Sequence, residues 1–146
     1  MKKLTNTILA LSAVAALGGT TGLYAQSSAV AKVPFGFTVN TVSLPPGDYE
    51  LRALASESPV IRIVNLNTRR SVMVLAPASG STYKGQPTDS GKVIFHRYGD
   101  RYFFSEVWSP GGLRGCAKPP KLEQELRASN PGIEMASVDI TLGGAK

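Results

Sequence analysis

The chain has 146 residues, of which 42% are hydrophobic and 18% are charged, and its formal net charge is +6. This length allows one domain with a single modest core, and there are no internal repeats that would indicate a repeat array. A single cysteine, Cys116, excludes an internal disulfide and leaves either an inert thiol or a bridge between two chains. With only one histidine as well, the sequence predicts no metal site and no cofactor.

The amino-terminal residues have the pattern of a signal peptide. Lys2 and Lys3 form a positively charged start, residues 8–17 are an apolar run, and Ala25 is a small residue at the expected cleavage position. Cleavage after Ala29 is an alternative. The apolar run is too short for a comfortable transmembrane helix, although an uncleaved membrane anchor is the other interpretation.

We therefore expect residues 1–25 to be a signal peptide and residues 26–146 to be a single β domain. The domain would be exported to the periplasm or secreted, with no transmembrane span after cleavage. Loss of two of the 16 Lys and Arg leaves 14 against 10 Asp and Glu, a net charge of +4. Weak attraction to anionic surfaces follows from this charge.

Alternating apolar positions predict a series of short strands after the signal peptide. Phe35, Phe37 and Val39 give the period of two that is typical of a half-buried strand. In chain order the strands are predicted at residues 32–39, 42–44, 49–53, 60–64, 70–76, 93–98, 101–108 and 135–142. A type II turn with Gly47 at positive φ is expected to join the second and third of these strands.

Two segments depart from the strand pattern. Residues 77–91 are predicted to form a long polar loop, in which Tyr83 and Lys84 have the only obvious binding chemistry. Residues 120–129 predict a short helix, because Pro120 suits its first turn, and its Leu122 and Leu126 are expected to pack on the sheet. The elements together predict a mainly β fold, an antiparallel β-sandwich or small β-barrel with one short carboxy-terminal helix.

The most distinctive stretch is residues 93–108. It contains the only His, the only Trp, two of the five Tyr and three of the five Phe. Gly99 and Asp100 separate two β-rich runs, and a glycine at the first central position is typical of a type II′ hairpin turn. The stretch therefore predicts a central β-hairpin.

Strict alternation along this hairpin assigns its side chains to two faces. One face carries Val93, Phe95, Arg97, Tyr102, Phe104, Glu106 and Trp108. The other face carries Ile94, His96, Tyr98, Arg101, Phe103, Ser105 and Val107. Both faces are apolar near the base, which predicts that one packs on the core and a helix or loop covers the other.

Three motifs lie between residues 33 and 108, and the resemblance that they support covers most of the chain after the predicted signal peptide. They are Val-Pro-Phe-x-Phe at residues 33–37, Leu-Pro-x-Gly-x-Tyr at residues 44–49, and Phe-His-Arg-Tyr-Gly-Asp-x-Tyr-Phe followed by a Trp at residues 95–108. Together they resemble a family of small exported bacterial β-domain proteins of unknown function. Gly36 departs from the pattern, where an acidic residue is expected. The resemblance implies the β architecture and export, and it implies no established activity.

His96 is the only candidate for a general base. In the predicted hairpin its diagonal neighbour Ser105 would lie about 7–8 Å away, which is too far for a nucleophile–base hydrogen bond. The sequence places no carboxylate to orient His96, so no catalytic residue is predicted, and His96 is expected to have a structural role. A small secreted hydrolase that uses His96 is the alternative.

Other chemistry has little support in the sequence. Glu50, Asp48 and Glu106 could meet in space as paired carboxylates, but no pattern indicates that they do. Arg97 and Arg101 alternate with aromatic residues, yet cross-strand cation–π contacts explain that pattern without nucleic acid, and no nucleic-acid partner is predicted.

The sequence thus favours an exported, non-catalytic β-domain protein with a binding or structural role at the cell envelope. Its partner would be a cell-envelope component, a glycan or a protein, and the sequence does not distinguish these. The candidate binding residues are Tyr83, Lys84, His96, Tyr98 and Arg101.

Overall fold

The computed structural model describes residues 28–80 and 90–144. The predicted signal peptide, residues 1–25, lies outside the described residues, and so do the binding candidates Tyr83 and Lys84.

The described residues form ten β-strands, a short 3-10 turn at Ala78–Gly80 and one α-helix. The strands are β1 Ser28–Val33, β2 Phe37–Val39, β3 Val42–Leu44, β4 Gly47–Ala53, β5 Val60–Asn65, β6 Ser71–Leu75, β7 Lys92–Tyr98, β8 Arg101–Trp108, β9 Arg114–Cys116 and β10 Ala136–Gly144, and the helix is α1 Lys121–Ser129.

The strands belong to one barrel-like sheet in the order β3-β2-β8-β7-β10-β1-β4-β5-β6, with β9 paired to β8. All pairs are antiparallel except a single parallel contact between β2 and β8. Strand β10 joins the two halves, because residues 136–141 pair with β7 and residues 142–144 pair with β1. The prediction of a mainly β fold, sandwich or small barrel, with one short helix is confirmed.

Two contacts bring the ends of the sheet together. The backbone N–H of Cys116 donates to the carbonyl of Pro77 at 3.2 Å, and the side-chain amide of Asn40 donates to the carbonyl of Met73 at 3.2 Å. A Cβ on Gly115 would collide with the carbonyl oxygen of Ala76, so only glycine allows β9 to approach this closely. The sheet is therefore almost closed, which protects its edges.

Aromatic side chains fill the interior of the barrel. The ring of Phe95 contacts Phe35 at 5.2 Å, Phe37 at 5.1 Å and Phe104 at 6.3 Å between centroids, all edge to face. Phe37 also contacts Tyr49 at 5.0 Å. Such edge-to-face pairs are favourable beyond the area that they bury. Phe95 thus lies at the centre of this aromatic cluster.

The tip of the β7–β8 hairpin has the strand pairing and the turn that the sequence predicts. Phe95 pairs with Phe104 and Tyr98 pairs with Arg101, as predicted. Gly99 has a φ of 59°, whereas Asp100 is not among the residues with positive φ, which fits a type II′ turn.

Towards the base of the hairpin, a bulge changes the assignment of faces. Ile94 pairs with Glu106 while Phe95 pairs with Phe104, so Ser105 is an extra residue in β8. Beyond it Val107 enters the core cluster, and Glu106 and Trp108 do not. The predicted faces are therefore wrong for these residues, because strict alternation does not allow for a bulge.

Two further expectations fail near the start of the chain. The strand expected at residues 32–39 is divided into β1 and β2. Pro34, which has no N–H to donate, follows β1 immediately, and the chain then crosses to the other half of the sheet. Gly47 does not have positive φ but begins β4 opposite Val33, where a Cβ would lie 3.2 Å from the amide nitrogen of Asn65. Its glycine serves close packing rather than a type II turn.

Candidate functional site

Helix α1 lies over the outer face of the hairpin, but it contacts the sheet through an unexpected residue. Leu122 is 44% exposed, whereas Glu123 is 1% exposed. The expectation that Leu122 and Leu126 form the packing face is therefore wrong for Leu122, and Leu126 is only half-buried. The reason is the polarity of the surface below the helix, where hairpin side chains provide partners for a carboxylate.

Those partners form a continuous chain of hydrogen bonds. Ser105 Oγ lies 2.9 Å from His96 Nε2, and His96 Nδ1 lies 2.8 Å from Glu123 Oε1. The hydroxyl of Tyr98 donates to the same Glu123 oxygen at 2.9 Å. We refer to Tyr98, His96, Ser105 and Glu123 as the polar network. Glu123 belongs to α1 and the other three belong to the hairpin, so the network joins the helix to the sheet.

Two arguments made from the sequence about His96 are wrong. A carboxylate does orient His96, because α1 brings Glu123 to it across 27 positions of the chain. Ser105 is also within hydrogen-bond distance of the imidazole, not at the spacing of a regular diagonal pair. The bulge at Ser105 explains the second error, since an extra residue changes the direction of a strand side chain.

Burial controls the electrostatics of the network. Desolvation raises the pKa of Tyr98 to about 12, and the hydrogen bond to Glu123 adds to this effect because a nearby carboxylate disfavours a second negative charge. Glu123 Oε2 is buried and has no hydrogen-bond partner among the described residues. A buried carboxylate needs partners to offset its lost hydration. The hydrogen bonds with Tyr98 and His96 therefore make the burial of Glu123 energetically possible.

The atoms of the network stand in the order of a nucleophile, a base and an orienting acid. Ser105 is 7% exposed and the side chain of His96 is 22% exposed. If Nδ1 carries the imidazole proton for Glu123, then Nε2 can accept the proton of the Ser105 hydroxyl. The same bonds also fix α1 to the barrel.

A cleft of about 350 Å³ lies beside the hairpin tip. Its lining residues come from β2, β3, the tip and α1: Gly36, Phe37, Thr38, Ser43, Asp100, Arg101, Tyr102, Phe103 and Leu122. We refer to it as the tip cleft. His96, Ser105 and Glu123 are not among its lining residues, but Leu122 adjoins Glu123 in the helix. The polar network therefore fixes one wall of the tip cleft.

The charged groups of the tip cleft are available to a ligand. Asp100 and Arg101 are exposed, and neither forms an ion pair or a side-chain hydrogen bond with any residue in the ranges 28–80 and 90–144. Arg97 differs, because it donates to the carbonyl of Gly99 at 2.8 Å and lies 5.7 Å from the ring centre of Tyr102. The predicted cation–π contact at the tip is thus present for Arg97.

A second cleft, of about 480 Å³, lies at the other end of the barrel. Its lining includes Glu57, Arg114 and the small residues of two loops. The tip cleft is the smaller of the two, but most of its lining residues belong to strands or to α1. Rigid elements hold recognition groups more accurately than loops do, which favours the tip cleft as a site.

The structure divides the predicted binding residues. Arg101 lines the tip cleft, whereas His96 and Tyr98 turn towards Glu123 below the helix. Sequence reasoning missed Glu123, and no local signal could have identified it. A single buried charge on a short polar helix looks like an ordinary solvated residue until its tertiary partners are known.

Glu106 does not come together with the other two carboxylates considered from the sequence, Asp48 and Glu50. Glu50 lies between the core residues Tyr49 and Leu51 and therefore points away from the interior. Strands β7, β10 and β1 separate β4, which carries Asp48 and Glu50, from β8, which carries Glu106. Within the described residues, no three His, Cys, Asp or Glu side chains are grouped as a metal would require. A search of the same residues found no helix with the length and apolar character to cross a membrane.

Comparison with known proteins finds no matching protein family, no similar curated protein and no similar solved structure.

Proposed function

We propose that this protein is an exported, non-catalytic β domain that binds a component of the cell envelope in the tip cleft. The observation that carries the proposal is the pair of exposed charges, Asp100 and Arg101, which have no ion-pair partner among the described residues and lie at a concave cleft. A concave site with a few convergent polar groups is the usual form of a small-molecule pocket.

The polar network supports this assignment through its position. Glu123 brings α1 onto the hairpin, and the preceding residue, Leu122, forms part of the cleft wall. Two hydrogen bonds to one buried carboxylate oxygen, Glu123 Oε1, give the helix one defined position. The role of His96 in this account is to hold α1, as a structural residue that orders the binding site.

A secreted hydrolase is the second candidate. The distances of 2.9 Å from Ser105 Oγ to His96 Nε2 and 2.8 Å from His96 Nδ1 to Glu123 favour it, because this is the hydrogen-bond order of a catalytic triad. Against it stands the position of Ser105, below α1 and outside the lining of either cleft. A substrate carbonyl has to reach the serine oxygen before the triad can act.

Binding is tested by measuring saturable retention of the purified protein on isolated cell-envelope fractions. A Ser43→Trp variant places a large side chain at the tip cleft, and Val42→Trp is the matched control because Val42 is the adjacent exposed residue of β3 and does not line the cleft. The proposal predicts that Ser43→Trp loses retention and Val42→Trp keeps it. Equal retention of both variants and the wild type would refute a site in the tip cleft.

Catalysis is tested separately with a fluorophosphonate probe, which labels activated serine nucleophiles. The proposal predicts no labelling above the level of Ser105→Ala. Labelling of the wild type that is lost in both Ser105→Ala and His96→Gln would instead establish the hydrolase.

A further inference from the structure

The tip cleft has a set of groups that selects among envelope components. Resting on the proposed binding function, we propose that its ligand is an acidic saccharide, whose carboxylate pairs with Arg101 and whose hydroxyls are bound by Asp100, Thr38 and Ser43. The volume of about 350 Å³ suits a short saccharide segment rather than a large folded partner.

Arg101 provides the charge that distinguishes an acidic sugar from a neutral one. It is exposed at the rim and has no ion-pair partner among residues 28–80 and 90–144. A guanidinium presents a planar fork of donors that matches both oxygens of a carboxylate. The neighbouring Arg97 is already engaged with Gly99 and Tyr102, which leaves Arg101 as the donor for the ligand.

The remaining polar groups suit hydroxyls. Asp100 accepts hydrogen bonds, and Thr38 and Ser43 both accept and donate them. Asp100 also repels a second carboxylate, so it fixes the orientation of a ligand that has one acidic group. A sugar ring, with hydroxyls on its edge and a carboxylate at one end, satisfies both requirements.

The apolar groups of the cleft suit the C–H surface of the ring. Leu122 is exposed on one wall, and Phe103 is buried next to the cleft. Tyr102 also lines the cleft, but its ring stacks on Phe35 at 3.9 Å between centroids and packs against the core, so Leu122 provides the exposed apolar surface. Rigid apolar walls and a few fixed polar groups reduce the entropy cost of binding.

Isothermal titration calorimetry with an aldobiouronic acid, a disaccharide with a single carboxylate, and a neutral disaccharide tests this inference. The acidic saccharide should bind at least about tenfold more tightly than the neutral one, because one charge-assisted hydrogen bond contributes enough free energy for that ratio. Arg101→Gln should remove this preference. Arg70→Gln makes the same change of charge at an exposed position outside the cleft and should leave it intact. Thermal melts of both variants confirm that they fold.

Each other result overturns a defined part of the inference. Equal binding of the two saccharides that Ser43→Trp abolishes would refute the acidic ligand and leave the proposed binding function standing. Similar losses in Arg101→Gln and Arg70→Gln would show general charge attraction instead of a site. If neither saccharide binds, the inference is wrong, and retention on envelope fractions decides the proposed function independently.

Discussion

Replacement of Glu123 by alanine should be among the most destabilising changes on the surface of the barrel. The substitution leaves the buried Tyr98 hydroxyl without its acceptor, at a cost of about 1–3 kcal/mol, and removes the bond to His96, worth about 1.5–3 kcal/mol if that bond is charge-assisted. The variant regains the cost of burying an unpaired Glu123 Oε2, on the order of 1 kcal/mol. The expected net loss is about 3 kcal/mol.

Urea unfolding measured by tryptophan fluorescence gives this number directly, because Trp108 is the only tryptophan and is 3% exposed. Glu125→Ala is the matched control. It lies two residues further along α1, and its exposed carboxylate forms an ion pair with the exposed Lys121 at 3.6 Å. Glu125→Ala should lower the free energy of unfolding by less than about 0.5 kcal/mol.

A double-mutant cycle isolates the hydrogen bond between Tyr98 and Glu123. Tyr98→Phe should destabilise the wild type, but in the Glu123→Ala background it should be neutral or stabilising, because it removes a hydroxyl that is already unpaired. Equal, small losses for Glu123→Ala and Glu125→Ala, or additive effects in the cycle, would refute the polar network as the attachment of α1.

Three more predictions follow from burial. Burial raises the folded-state pKa of Tyr98 to about 12, from an unfolded value of about 10. The neutral hydroxyl therefore contributes about 2–3 kcal/mol to stability below pH 10, and this contribution is lost as the pH rises through 12. In urea unfolding, Tyr98→Phe should thus lower the free energy of unfolding by less at alkaline pH than at neutral pH. Burial, with the charge of Glu106 as a second cause, raises the pKa of the Cys116 thiol. Near neutral pH the native protein should therefore react with a thiol reagent more slowly than the unfolded protein does, and an equally rapid reaction of the native protein would contradict this. Phe104→Ala should cost about 3–5 kcal/mol in urea unfolding, whereas Leu75→Ala, at a position 63% exposed, should cost below about 1 kcal/mol; similar costs would mean that the hairpin is not the core.

Local sequence patterns predicted much of the fold because they reflect local physics. The alternation around Phe95 and the glycine at position 99 were sufficient to predict the hairpin, its turn and the pairing at its tip. Pro120 likewise predicted the start of α1. In each case a few neighbouring residues determine the backbone conformation.

The parts that sequence reasoning missed depend on tertiary contacts. The bulge at Ser105 is a property of the strand pair, and it determines both the direction of Ser105 and the burial of Val107. The helix packs through Glu123 because the sheet below it presents Tyr98 and His96, which are distant in the chain. The tip cleft similarly combines β2, β3, the hairpin and α1, so only Arg101 at its rim was identified in advance.

Thermal unfolding of His96→Gln and His96→Ala tests the central claim, that the polar network holds α1 on the barrel. The account predicts that both variants melt below the wild type and that His96→Ala melts lowest. Glutamine retains one hydrogen-bonding group for Glu123 or Ser105, whereas alanine removes the partner of Ser105 Oγ and leaves Glu123 Oε1 with the bond from Tyr98 alone. Unchanged melting midpoints in both variants would contradict the structural role of His96.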